Sequence, residues 1–425
     1  MKLKHSFPLI LIVVLFGCNT NRVTQLKDYN TYLSAEFDKT ELLSSAQIWT
    51  NKLETAPNQF PYLTKRANSY TQLFNATGDI GYLKKAEEDL VKAIEITNGI
   101  YASHLKSLAI NYISQHRFKE ALELLKKAEA NGEKLNGTKK MLFDVHLELG
   151  NYIAAEAYLK QIKNTSDFDY LIRLAKWEDH NGNLDEAIVT MEKAALIAEA
   201  SKLKGTMQWS YTNLADFYGH AGEIEKSYNF YLKALKLDPN DAYAKKGIAW
   251  ILFSHEKNSE EALNILDHIS TYFKAPDYDL LKSEIAGYIN DKKLKSTALA
   301  SYQKAVENKY YGDMYNTYNI MVYTEDMLLP KQAIEIAMQE VENRPTPQSY
   351  DLLAWSYFKN GDVEKANAII EDYVDGATSE PEVLYHIAEI YKAVGKMDKV
   401  KALKGELVAS LYELGPTMEQ KIKQL

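Results

Sequence analysis

A chain of 425 residues, 46 % apolar and 25 % charged, has the composition of an ordered protein with a large core. Fifty-eight acids against fifty bases leave a formal charge of −8, which disfavours nucleic acid and anionic lipid headgroups as partners. The single cysteine, Cys18, excludes an intramolecular disulfide.

In chain order the first element is a leader. Lys2 and Lys4 precede an apolar run, Phe7 to Phe16. A bilayer-spanning helix takes about 20 residues, so this shorter run reads as a secretory signal. It ends Leu15-Phe16-Gly17-Cys18, which resembles the bacterial lipobox. The resemblance implies a lipoprotein signal peptide over 1–17, lipidation at Cys18 and stable anchoring by several acyl chains. An ordinary signal peptide with an incidental cysteine is the alternative. Asn19 is not the aspartate retention signal known in some bacteria. The expected address is therefore the bacterial cell envelope, at the outer rather than the inner membrane. Residues 18–33 are polar and weakly patterned, and read as a tether. Residues 34–59 hold one packing helix, with Leu43, Ile48, Trp49 and Leu53 toward a core.

From residue 60 to 412 one pattern recurs about ten times, every 32 to 42 residues. Its clearest copy is Tyr211, Leu214, Ala215, Tyr218, Gly222, Ser227, Tyr231, Ala234 and Pro239. Such a period marks a solenoid of stacked two-helix units. Tyr228, Tyr231, Leu232 and Leu235 recur at helical spacing, and Asp238-Pro239 stops the helix. Gly150, Gly182, Gly222 and Gly361 mark turns between paired helices. The apolar Val400, Leu403, Leu407 and Leu411 predict a last helix that ends at Gly415-Pro416, and 413–425 reads as a polar C-terminal tail.

These residues resemble the tetratricopeptide repeat (TPR) family. Further copies read Leu174, Ala175, Gly182, Ala187 and Ala194; Ile285, Ala286, Ala298 and Tyr302; and Leu353, Ala354, Tyr357, Gly361 and Ala366. Weaker ones start near Phe60, Ala102, Asn136, Ala242 and Met314. The resemblance implies an all-α solenoid, a right-handed superhelix of about ten helical hairpins. It also implies which places on the first helix of each unit line a concave groove. Carried over, these give an aromatic set of Trp209, Tyr243, Trp250, Phe253, Tyr315, Tyr318, Trp355, Phe358 and Tyr385. They also give an acidic set of Asp144, Glu148, Asp179, His180, Asp216 and His220. Rigid aromatics suit a protein or peptide partner, although the same rings could pack between units. No unit pairs the Lys and Asn of the family's carboxylate clamp: Asn68 goes with Thr64, and Lys106 with Ile110.

No phosphate loop, nucleophile elbow, paired-His metal helix or CxxC is present. His180 and His220 hold the same place in successive units, about 10 Å apart by helix spacing, too wide for one metal. The sequence reading is a non-enzymatic, lipid-anchored scaffold needing neither cofactor nor metal. It touches membrane only through its N-terminus and takes a protein or peptide in its groove. The alternative is a carbohydrate-capturing outer-membrane lipoprotein with TPR-like helices.

Overall fold

Alanine and glycine at the helix crossings set the architecture. The computed structural model describes residues 22–425, so Cys18 and the 1–17 leader lie outside the described residues. After α1 (Leu26–Leu33) and α2 (Thr40–Thr55) come ten antiparallel hairpins. They are α3–α4 (Phe60–Thr77, Ile80–Ile96), α5–α6 (Ala102–Ser114, Phe118–Ala130) and α7–α8 (Leu135–Glu148, Tyr152–Gln161). Next are α9–α10 (Phe168–His180, Leu184–Ser201), α11–α12 (Lys204–His220, Ile224–Leu237) and α13–α14 (Ala242–Trp250, Ser259–Ser270). Then follow α15–α16 (Pro276–Tyr288, Lys292–Val306) and α17–α18 (Asn316–Met321, Pro330–Asn343). The last two are α19–α20 (Pro347–Lys359, Val363–Tyr373) and α21–α22 (Pro381–Ala393, Met397–Ala409). Two short helices close the chain, α23 (Leu411–Leu414) and α24 (Met418–Lys423).

Ala175, Ala187, Ala215, Ala234, Ala286, Ala354 and Ala366 are all fully buried, where the helix axes approach most closely. At Gly247 a methyl group would fall 2.2 Å from the Tyr231 ring, so hairpins α11–α12 and α13–α14 pack only over a bare backbone. Side chains of Asp79, Asp241, Asn258 and Asp291 accept backbone N–H groups at helix starts. The Ala242 copy is weak for a physical reason. Its helix continues past Trp250 to His255 in a widened π turn, in which Glu256 N–H bonds the Ile251 carbonyl. That turn absorbs one residue, so Ala249 and Ala262 stand one place further apart than Ala215 and Ser227.

From Arg22 on, the expected tether is a docked strap. Val23 and Thr24 donate their backbone N–H groups to Glu256 at 2.8 and 2.6 Å, and Tyr29 is 2 % exposed. The strap climbs the outer side of the second helices. The Tyr29 hydroxyl donates to Glu261 on α14, Asn240 donates to the Glu36 carbonyl, and Phe37 stacks on Tyr272. Polar composition concealed this because two of the anchors are backbone amides and every partner lies far along the chain, so the pairing carries no local sequence signal.

The solenoid also closes on itself. Lys274 bonds Asp79, 195 residues away, and its N–H bonds the Thr77 carbonyl. Nearly the same offset brings Gly150 against Pro345, Glu148 against Arg344 (3.6 Å), Gly182 against Ser379 and Gly219 against Tyr412. The within-hairpin turns of the first superhelical turn thus rest on the between-hairpin connections of the second. Gly78 and Gly150 make this possible. Both have positive φ, and a Cβ would lie 2.5 Å from the Lys274 carbonyl oxygen and 2.9 Å from that of Pro345.

Candidate functional site

The concave side of the second turn, lined by α13, α15, α17, α19 and α21, contains the chain's own C-terminus. Residues 413–425 read as a polar tail, but Met418, Ile422 and Leu425 share one helical face and pack inward, with Ile422 1 % exposed. The segment packs on α22, where Lys404 donates to the Lys423 carbonyl, and runs through the channel along first helices. Ser254 donates to the Tyr412 carbonyl (2.5 Å), and Thr417 donates to Glu284 (3.0 Å). Gly415 passes so close under Trp250 that a Cβ would sit 3.0 Å from the ring.

Beside the tail lies an open cavity of about 730 Å³, lined among others by Trp250, Leu280, Tyr318, Met321, Leu414 and Met418. Glu284, Glu325, Asp326, Glu380, Glu382 and Glu413 face it against only Lys295 and Lys421. Burial, reinforced by Glu382, pushes the Glu284 carboxyl up to about 7 despite the Thr417 hydrogen bond.

The aromatic set divides. Trp209, Tyr243 and Tyr318 are exposed at 42, 47 and 42 %. Trp250 is half-buried under Gly415 and meets Phe253 edge-on. Tyr315 is half-buried among Tyr302, Tyr311 and Tyr318. Phe253, Trp355 and Tyr385 are core residues, at 0, 2 and 7 % exposure, so the expectation that they face a ligand is corrected. Trp355 donates its indole N–H to Glu325 (2.9 Å) and stacks between Phe358 and His386. His386 in turn meets the buried Asp351 at 2.8 Å. These rings sit at groove places of the repeat, yet wedge between neighbouring first helices, where a flat side chain fills the gap.

The acidic set is largely spent within the fold. Asp144 accepts from Arg173 (2.6 Å), and Glu148 binds Lys176 (2.8 Å) and Arg344 across the seam. Burial works against the charge of Glu148, but Lys176 and Arg344 hold its carboxyl below the usual range. Asp216 accepts from the Tyr231 and Tyr243 hydroxyls, and burial raises its pKa. His180 packs on Tyr152, with its pKa lowered by burial. Asp179 is left near the seam, its pKa raised by burial, and His220 meets Glu413 at 3.6 Å. The expected acidic seat is therefore mostly an ion-pair system joining hairpins. Among the described residues, no group of three His, Cys, Asp or Glu side chains has metal-binding geometry.

With stacked hairpins and alanine crossings in view, the comparisons agree. The tetratricopeptide repeat profile matches residues 210–241, the clearest copy of the motif. The fold is an all-α tetratricopeptide-repeat solenoid. No curated protein matches it. Among solved structures this chain is similar to YrrB, described as a TPR protein with an unusual peptide-binding site. That match has 20 % identity, covers 47 % of this chain and 96 % of the other, and has a TM-score of 0.29. It is similar to a tetratricopeptide repeat protein from Parabacteroides merdae at 19 % identity, covering 57 and 95 %, with a TM-score of 0.39. It is also similar to the human IFIT1 dimer with PPP-AAAA at 14 % identity, covering 76 and 75 %, with a TM-score of 0.44. Such likeness concerns the fold alone.

Sequence reasoning missed Glu256, Glu284, Tyr412 and Thr417. The 418, 422, 425 spacing was a usable signal for the tail. The two glutamates had none, since their roles depend on segments far away in sequence.

Proposed function

We propose that this TPR protein is a lipid-anchored scaffold of the bacterial cell envelope, holding an extended protein segment in the concave channel of its second turn. The observation that carries this is the channel's existing content. It already seats residues 411–418 through a serine, a threonine–carboxylate bond and an aromatic lid, and it leaves open volume alongside. The surplus of carboxylates favours a segment with basic side chains, which Trp250 and Tyr318 can also receive through their ring faces. The lipobox-like Leu15–Cys18 supplies the anchor and the envelope address.

The test is recovery of a stoichiometric partner from solubilised envelope by the full chain, with the bound segment located by cross-linking. A Trp250→Ala/Tyr318→Ala variant should lose the partner while keeping its helical content. Retained binding with cross-links outside the channel would move the site elsewhere. The exposed Tyr318 ring favours a second reading, glycan capture by aromatic stacking, which binding to a glycan array without any protein partner would establish.

A further inference from the structure

The strap fixes where the chain leaves the solenoid. Glu256, itself 8 % exposed, takes the Val23 and Thr24 N–H groups and the Thr24 hydroxyl (3.0 Å) on its two oxygens. Arg22 and Val23 lie beside the turn at Gly222, where the first superhelical turn ends, and beside His255, on the free rim of the second. Cys18 is five residues before Val23, so a fully extended chain carries it no further than about 18 Å from that rim. The opposite rim, at Leu203, lies the full length of α11 from Gly222, and 17 helical residues span roughly 25 Å, beyond that reach.

We infer that the free rim formed by the turns after α15 and α17 rests on the lipid surface that holds Cys18. This depends on the lipidated-Cys18 reading. The rim has suitable chemistry. Ile289, Met327 and Leu328 are exposed at 44, 38 and 74 %, and Leu328 has a left-handed backbone (φ 55°) that turns a large apolar side chain outward. Lys292, Lys293 and Lys331 stand exposed beside them, with Asp291 between. Apolar tips that enter the acyl boundary, flanked by lysines able to reach headgroups, are the pattern of an interfacial surface. The net negative charge of the chain makes a zwitterionic lipid the better seat.

The test uses the acylated full chain in phosphatidylcholine vesicles containing a nitroxide-labelled lipid. With Cys18 acylated, a cysteine introduced by Leu328→Cys or by Leu203→Cys is the sole free thiol for a fluorophore. Leu203 is 62 % exposed on the opposite rim. Strong quenching at 328 and little at 203 is the expected result. Equal or reversed quenching overturns the inference. Glu256→Ala should abolish the contrast while leaving acylation intact, and a contrast that survives it would show that the strap does not orient the molecule. Palmitate labelling of the wild type, absent in Cys18→Ala, separates the two levels. Label without contrast sinks the rim alone, and no label sinks the anchor reading together with it.

Discussion

Lys245 is the clearest strained residue. It is 1 % exposed, and its ammonium sits 3.0 Å from Nε2 of His268 and over the Tyr272 ring. Burial brings its pKa down to about 8, against the opposing pull of Asp238 and Asp241. The unfolded chain holds that proton up to roughly pH 10.4. Between these values the unfolded state binds more protons, so stability rises with pH across that window. Below pH 8 the full cost of a buried charge remains, on the order of 3 kcal/mol. Lys245→Met should therefore raise the denaturant midpoint at pH 7, and the gain should shrink by pH 10. A gain that is the same at both pH values would show that the substitution acts through packing and not through charge.

The hairpin was the unit most legible in the sequence. Ala215, Ala234, Ala354 and Ala366 lie where the motif predicts, and Gly150, Gly182, Gly222 and Gly361 all take positive φ. What the motif left undetermined was the use of each groove place. Trp355 and Trp250 hold analogous places, yet one is walled in by His386 and Phe358 and the other covers Gly415. Local spacing sets which face a side chain takes, and distant segments decide what covers that face. The turn glycines separate the two influences. Gly78 and Gly222 have nearly the same φ, 65° and 74°, but only Gly78 meets another hairpin. Alanine at either should lose about 1–2 kcal/mol to the left-handed backbone. Gly78→Ala should lose a further 1–3 kcal/mol, roughly, from overpacking against Lys274. Equal losses in chemical denaturation would mean that the seam yields freely.

At the scale of the molecule, that seam changes how an array of repeats should behave. In an open solenoid each unit contacts only its neighbours, so opening proceeds from the ends and stability is a sum of local terms. Here hairpins far apart in sequence share contacts, and Arg344 is the densest of them. It binds Glu340, approaches Glu148 at 3.6 Å, and lies over the Phe118 ring at 5.3 Å. The first turn is thereby tied to the second at its middle, away from either end. Amides of α5 to α8 should exchange in concert with those of α18 and α19. Arg344→Glu sets like charges against Glu148 and Glu340, and should uncouple the two sets, with protection falling first in α7, whose end carries Glu148. It should also enlarge the radius of gyration seen by small-angle scattering as the turns part. If the two sets exchange independently in the wild type, or if the variant keeps both the concerted exchange and the compact radius, then the turns only touch, and the coupling argued here does not exist.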